Sequence, residues 1–108
     1  MEYIPEKWVV VKVTEPDSPA AYKLFGSWRD AGAWDWRLSS GITRATFVDN
    51  HYEVQHYVFE SNSGFTYLCA TALYGKDALN HIIGIASKNN VTIEILPEET
   101  NWEQINYE

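Results

Sequence analysis

The segment ITRATFVDNHYEVQHYVFESNSGFTYLCA, residues 42–70, decides the fold. Apolar and polar residues alternate through residues 42–48 and again through residues 52–60, which is the period of a strand with one buried face. Asp49 and Asn50 tolerate a positive φ and predict a hairpin turn between these two runs. Residues 61–64 (SNSG) make a second turn into residues 65–70. The segment therefore predicts three consecutive antiparallel strands.

Further strands are predicted on both sides of this segment. Residues 8–14 (WVVVKVT) are rich in β-branched side chains, and residues 15–19, which contain Pro16 and Pro19, end that run in a turn or loop. Residues 21–28 give a second strand, and residues 91–96 give a last one before Pro97. The course of residues 34–37 stays open, because Gly32 interrupts the pattern before them.

After Gly75 the apolar period changes from that of a strand to that of a helix. Apolar residues then recur at the spacing of one helix face, and two asparagines follow that can end the helix: Leu79, Ile82, Ile83, Ala86, Asn89 and Asn90. Trp102 and Ile105 are spaced to form a short docked helix in the polar tail. We therefore expect an α+β fold, in which a curved, mostly antiparallel sheet of five to six strands packs against one main helix and a short helical tail follows.

The composition is that of one globular domain spanning residues 1–108. Apolar residues make up 45% of the chain and charged residues 21%, which leaves no compositional sign of disorder. No apolar run is long enough to cross a membrane, and the first residues lack the features of a signal peptide, so we expect a cytoplasmic protein. Cys69 is the only cysteine and lies in an apolar run, which predicts a small buried side chain.

The net charge of −7 is concentrated toward the C-terminus. From Val91 onward the chain has no lysine or arginine but five glutamates: Glu94, Glu98, Glu99, Glu103 and Glu108. Binding to duplex DNA is therefore not expected, because that affinity rests largely on cations. Two interpretations remain open. The tail is either a solvated acidic face or a surface that occupies a basic groove on another protein.

The sequence offers no recognisable catalytic apparatus. The motifs GxSxG, GxxxxGK[ST], HExxH and CxxC are all absent. His51, His56 and His81 do not have the spacing of a metal site, and Asp30 and Asp35 neighbour arginines with which they can form surface ion pairs. We accordingly expect no enzymatic activity and name no catalytic residue, metal or cofactor.

Aromatic, cationic and hydroxyl residues are concentrated in residues 22–41. Arginine beside tryptophan can hydrogen bond a phosphate and offer a ring on which a base stacks, while serines add further donors. The candidate ligand-binding residues are Trp28, Arg29, Trp36, Arg37, Ser39, Ser40 and, from the later SNSG turn, Ser63. The alternative is that the tryptophans are core residues covered by the arginine stems and that the SNSG segment is only a turn.

Several of these segments resemble, in the same order, a group of small bacteriophage proteins to which no function is assigned. The shared motifs are W-[RK]-L-[NS]-S-G-[IV], at residues 36–42, and S-G-S-x-Y-x-C, at residues 63–69, followed by Tyr74-Gly75. Two departures are that the glycine-rich stretch of the group is replaced here by residues 30–34 and that Phe65 stands in place of the second serine. The resemblance implies an infected bacterium as the setting.

Within that setting we expect a non-enzymatic counter-defence protein that binds and sequesters a nucleotide immune signal, at a homo-oligomer interface. The alternative is an acidic inhibitor, of anti-CRISPR or DNA-mimic type, that binds a host defence protein. Its contact residues would be Glu98, Glu99, Trp102 and Glu103. A second alternative is a nucleotide-cleaving enzyme, for which the sequence names neither nucleophile nor base.

Overall fold

A computed structural model describes residues 2–17, 19–30, 33–49, 54–75 and 91–107, with the backbone alone at residues 29, 30 and 33–35. These residues form two four-stranded sheets. The strands are β1 (Glu2–Tyr3), β2 (Lys7–Thr14), β3 (Ala21–Asp30), β4 (Ala33–Leu38), β5 (Ile42–Val48), β6 (His56–Ser61), β7 (Thr66–Ala70) and β8 (Thr92–Ile95). Sheet I has the order β1-β7-β6-β5, and sheet II has the order β4-β3-β2-β8.

The predicted fold class is wrong. More than half of the described chain is strand, and its only helical elements are two 3₁₀ turns, Thr71–Leu73 and Trp102–Gln104. The expected single sheet is instead two sheets that share a core, and the expected helical tail is one 3₁₀ turn. The helix predicted from Leu79, Ile82, Ile83 and Ala86 lies outside the described residues. No helix of the described residues is long and apolar enough to cross a membrane.

Most strand positions, in contrast, follow the sequence pattern, although β6 begins at His56 within the predicted run 52–60 and β1 was not predicted. Strands β5, β6 and β7 pair antiparallel in succession, as the alternation in residues 42–70 predicts. The Ser61–Gly64 turn is closed by a 3.0 Å hydrogen bond from the Gly64 N–H to the Ser61 carbonyl. Gly64 has a φ of 89°, a conformation that side chains with a Cβ rarely adopt, so glycine suits this position.

The two sheets share one apolar core. Trp8, Val10 and Leu24 of sheet II pack in the same cluster as Phe59 and other residues of sheet I, which are Ile42, Ala45, Tyr67 and Cys69. The buried position of Cys69 agrees with the prediction, and removal from water raises the pKa of its thiol. A single cluster with members from both sheets fixes the sheets against each other.

A second apolar cluster lies on the opposite face of sheet II. It contains Val9, Val11, Val13 and Phe25, with partly buried side chains packed around them. Neighbouring residues of a strand point to opposite faces. In β2, Trp8 and Val10 therefore belong to the shared core, whereas the other three valines belong to the second cluster. Strand β2 is therefore buried on both faces, which explains why its sequence is apolar without alternation.

The chain segment after β8 is attached to the shared core through Trp102. This side chain is only 1% exposed and packs against Trp8, Phe59 and Tyr74. The side chain of Asn101 caps the 3₁₀ turn by accepting a 3.3 Å hydrogen bond from the Glu103 N–H. Trp102 is thus a core residue of the sandwich, although it follows the last strand.

The N-terminal segment passes from sheet I to sheet II across Gly26. Pro5 is fully buried there, and a Cβ on Gly26 would lie only 3.0 Å from the Pro5 Cβ. The Glu6 N–H also donates a 2.9 Å hydrogen bond to the Ser27 carbonyl. This close crossing holds β1 beside β7, and it places Tyr3 against Trp28 of sheet II.

Candidate functional site

Arg37 lies against two adjacent aromatic rings, those of Tyr3 and Phe65, whose centres are 5.7 Å apart. Its guanidinium carbon Cζ is 4.8 Å from the centre of the Tyr3 ring and 4.8 Å from the centre of the Phe65 ring. Its Nε donates a 3.0 Å hydrogen bond to the hydroxyl of Tyr67. Cation–π contacts of this kind and a hydrogen bond to Nε hold the guanidinium in one orientation. We call Arg37, Tyr3, Phe65 and Tyr67 the arginine clamp.

Strand pairing assembles the clamp from distant parts of the chain. The parallel pairing of β1 with β7 places Tyr3 opposite Tyr67, and their rings stack with centres 5.4 Å apart. Pairing of β3 with β4 places Arg37 opposite Gly26. Trp28 extends the aromatic group by stacking on Tyr3, with ring centres 5.9 Å apart. Three of the four clamp residues therefore lie outside residues 22–41, from which most of the predicted ligand-binding residues come.

The electrostatics of the clamp keep Arg37 charged. The hydrogen bond to Tyr67 raises the pKa of the guanidinium above its already high value, while partial desolvation acts in the opposite direction. Among the described side chains, no carboxylate lies within ion-pair distance of Arg37. The ion pair that these side chains form is Arg44–Glu60, at 3.8 Å. Arg37 thus combines a fixed orientation with a charge that no described side chain neutralises.

Two of the predicted serines meet directly. The Ser40 hydroxyl donates a 2.9 Å hydrogen bond to the Ser63 hydroxyl, and the Ser63 N–H donates a 3.2 Å bond back to the Ser40 oxygen. Next to them, the Asn62 N–H donates a 2.9 Å hydrogen bond to the Gly41 carbonyl. The loop after β4 and the turn before β7 are therefore joined. Ser40 follows Arg37 in the chain, and Ser63 precedes Phe65, so both segments lead directly from the clamp.

Ser39 has a different environment from Ser40. It is 4% exposed, accepts a 2.8 Å hydrogen bond from the Leu24 N–H and donates a 2.6 Å bond to the Ser40 carbonyl. Both interactions satisfy groups of the protein itself. The structure therefore places Ser39 as a buried link between β3 and the loop, away from a position where it could contact a ligand.

The structure also separates Trp36 from Arg37. Trp36 stacks on Phe25, with ring centres 5.4 Å apart and an interplanar angle of 15°, and it is 41% exposed. Phe25 belongs to the second cluster, on the face of sheet II opposite the clamp. The pocket expected from Trp36, Arg37, Ser39 and Ser40 together is consequently not formed on one surface. The side chain of Arg29 lies outside the described residues.

The predicted partner-binding residues also divide into exposed and buried side chains. Glu98, Glu99 and Glu103 are exposed, whereas Trp102 is buried in the core. The carboxylates therefore have the exposure that a contact surface needs. Trp102 instead anchors the segment that carries them.

Two adjoining grooves lie at one end of sheet II, with volumes of about 540 Å³ and 340 Å³. Val13, Glu15 and Lys23 line both grooves. Ser40 and Asn62 border the smaller one, so Ser40 is the predicted ligand residue that lines a groove. Lys23 was not predicted, because a single lysine in a strand of alternating character carries no distinguishing signal.

The described residues contain no group of three histidine, cysteine or acidic side chains that could hold a metal ion. His56 Nδ1 lies 2.7 Å from the carbonyl oxygen of Val54. His51 and His81 lie outside the described residues. In comparisons with known proteins, no family model, curated protein or solved structure matches the chain. The resemblance to bacteriophage proteins therefore stays a prediction.

Proposed function

We propose that this protein is a non-enzymatic binder of a phosphate-bearing nucleotide, with Arg37 as the residue that contacts the phosphate. One observation carries the proposal. The guanidinium lies against the adjacent rings of Tyr3 and Phe65 and is hydrogen bonded through Nε, and no described carboxylate pairs with it. A guanidinium oriented before binding loses less side-chain entropy when its remaining N–H groups engage a phosphate.

The neighbouring groups suit the same ligand. Ser63 is exposed and hydrogen bonded to the half-buried Ser40, which gives two hydroxyls on the segments that lead from the clamp. Trp28 and Phe65 are half-buried rings that add aromatic surface beside the arginine, and a base can pack on such surface. Trp36 and Ser39 are not part of this proposal, because the structure places them elsewhere.

The net charge of −7 limits the kind of anion that this site can hold. Long-range repulsion disfavours a long polyanion, whereas a small nucleotide can be held by contacts at short range, where screening matters less. In the phage setting that the sequence resemblance implies, binding of this kind would sequester a nucleotide immune signal in the host cytoplasm. A homo-oligomer would enclose such a ligand more fully than one copy does.

Thermal denaturation with a panel of cyclic dinucleotides, cyclic trinucleotides and ADP-ribose derivatives tests the proposal. A ligand at 100 times its Kd stabilises the folded state by about 2.7 kcal/mol, which corresponds to roughly 10 °C for a domain of this size. We expect one class to give such a shift and to be recovered unchanged. Arg37→Lys should lose most of it, because a lysine keeps the charge but not the planar fork.

Arg44→Lys is the matched control, since Arg44 is an exposed arginine on β5 whose ion pair with Glu60 lies outside the clamp. This variant should retain the full ligand-induced shift. The unliganded melting temperature of each variant must be compared first, because Arg37 also contributes packing. The proposal is wrong if no nucleotide shifts the wild-type protein, or if the Arg37 and Arg44 variants respond equally.

A second candidate function rests on the exposed carboxylates of Glu98, Glu99 and Glu103. They lie on a segment that Trp102 fixes to the core, so their positions are defined relative to the sheets. We infer that this surface would suit a basic groove on a host defence protein, because fixed complementary charges speed association and select partners.

A further inference from the structure

The larger groove of sheet II has an aliphatic floor. The floor consists of Val13 in β2, Leu38 at the end of β4 and Ile93 in β8, with Val91 beside them. Val13 and Ile93 are paired across β2 and β8 and form one apolar surface over these two strands, and Leu38 lies at the end of β4 on the other side of β3. The volume of about 540 Å³ falls within the usual range for small-molecule sites, roughly 300–1,000 Å³.

One positive and one negative side chain stand over this floor. Lys23 is half-buried, and Glu15 is exposed directly after β2. The two do not form an ion pair with each other, and neither pairs with another side chain of the described residues. The groove therefore presents two opposite charges that no described side chain neutralises.

These charges decide which ligand the groove fits. A nucleotide or another polyanion would meet Glu15 as well as Lys23, so its attraction and repulsion would largely cancel. A molecule that carries both an ammonium and a carboxylate can pair with each in turn. The described lining contains no aromatic ring, which favours an aliphatic body over a planar base.

We propose that this groove binds the zwitterion of an aliphatic α-amino acid, with the carboxylate at Lys23, the ammonium at Glu15 and the side chain on Val13, Leu38 and Ile93. The smaller groove continues from the same charged residues toward Asn62, whose side-chain amide can donate a hydrogen bond to the carboxylate. The charged residues of this site are distinct from those of the nucleotide proposal, since Arg37 lines neither groove, although Ser40 borders the smaller one.

Titration of the isotope-labelled protein, followed by amide NMR, tests this assignment with four probes: L-leucine, 4-methylpentanoate, 3-methylbutylamine and glycine. L-Leucine should shift the amides of Val13, Lys23 and Ile93 with a Kd on the order of 1 mM. Each probe that lacks one charge should bind about two- to fivefold more weakly, as expected for exposed ion pairs. Glycine, which lacks the aliphatic side chain, should bind about tenfold more weakly or worse.

Two variants assign the charges, and a third serves as control. Lys23→Gln should bring L-leucine to the affinity of 3-methylbutylamine, and Glu15→Gln should bring it to that of 4-methylpentanoate. Arg44→Gln, which removes a charge outside the groove, should leave all four affinities unchanged. The proposal is overturned if L-leucine does not shift these amides at tens of millimolar, if the single-charge probes bind as well as L-leucine, or if the Lys23 and Glu15 variants behave like the control.

Discussion

Arg37 and Tyr3 make a cation–π contact with 4.8 Å between the guanidinium carbon and the ring centre, although they belong to different sheets and lie far apart in sequence. Through this contact a two-residue strand, β1, is tied to sheet II as well as to β7. Such a short strand has few hydrogen bonds of its own. Its attachment therefore depends on Tyr3 and on the Pro5 crossing.

Tyr3→Ala is expected to destabilise the protein by about 2 kcal/mol, because it removes the ring stacking with Tyr67 and Trp28 and the cation–π contact with Arg37. Tyr3→Phe keeps the ring and should stay within about 0.5 kcal/mol of the wild type. Urea unfolding followed by tryptophan fluorescence measures both. Equal stabilities for the alanine and phenylalanine variants would show that the clamp contributes nothing to holding β1.

Gly26→Ala is expected to cost about 1–3 kcal/mol, because the new Cβ would lie 3.0 Å from the Pro5 Cβ in a buried crossing. Pro5→Gly in the same chain removes the Pro5 Cβ, which is the atom that the new methyl group at position 26 would contact. The double variant should therefore show a favourable coupling energy in a double-mutant cycle, measured by denaturant unfolding. Strictly additive effects of the two substitutions would contradict the steric explanation.

The strand positions could be predicted because alternation and turn residues are local signals. Residues 42–70 specify β5, β6 and β7 through them, and β2 is recognisable from its valines. The division into two sheets could not be predicted, since it depends on which strands pair over long distances. Strand β1 is the extreme case, because two residues next to Ile4 and Pro5 carry no periodic pattern.

The candidate site was predicted only in part. The reason is that side chains alternate between the two faces of a β-strand with a period of two residues. Trp36 and Arg37 look like one recognition unit in the sequence, but neighbouring residues of a strand point to opposite faces. Once residues 33–38 are known to form β4, their separation follows. The partners of Arg37 could not be foreseen, because Tyr3, Phe65 and Tyr67 reach it through the pairing of β1 with β7.

Stability is expected to fall at alkaline pH because of Tyr74. Burial raises its pKa from the ordinary value of about 10 to about 12, and the charges of Glu98 and Glu99 act in the same direction. A raised folded-state pKa means that the folded protein keeps the proton after the unfolded chain has lost it. The stabilisation is therefore fully present below about pH 10 and is lost as the pH rises through about 12.

Urea unfolding at several pH values between neutral and alkaline, together with tyrosinate absorbance, measures this loss. Burial also raises the pKa values of Tyr57 and Tyr107, so part of the decline should remain in Tyr74→Phe. The phenylalanine variant should nevertheless show a shallower slope above pH 10 than the wild type. An identical slope in the two proteins would exclude Tyr74 as a contributor.

The burial of Trp102 determines how the acidic surface can be tested. Trp102→Ala should destabilise the protein by about 3–5 kcal/mol, because the ring is 1% exposed and packs on Trp8, Phe59 and Tyr74. Deleting the C-terminal segment would remove the same ring. If such a deletion abolished partner binding, the loss could therefore result either from unfolding or from removal of the contact residues.

Charge removal at the exposed positions avoids this difficulty. A triple variant of Glu98→Gln, Glu99→Gln and Glu103→Gln should keep the wild-type unfolding midpoint within about 1 kcal/mol, since exposed carboxylates contribute little to stability. If the acidic surface binds a host protein, the variant should lose that partner in affinity capture and associate more slowly, with a weaker dependence on salt. A second triple variant of Glu6→Gln, Asp17→Asn and Glu94→Gln, at exposed positions in or next to sheet II, removes the same number of charges and is the control for net charge. Equal capture by the triple variant and the wild type would remove the second candidate function and leave nucleotide binding by Arg37 as the proposal to pursue.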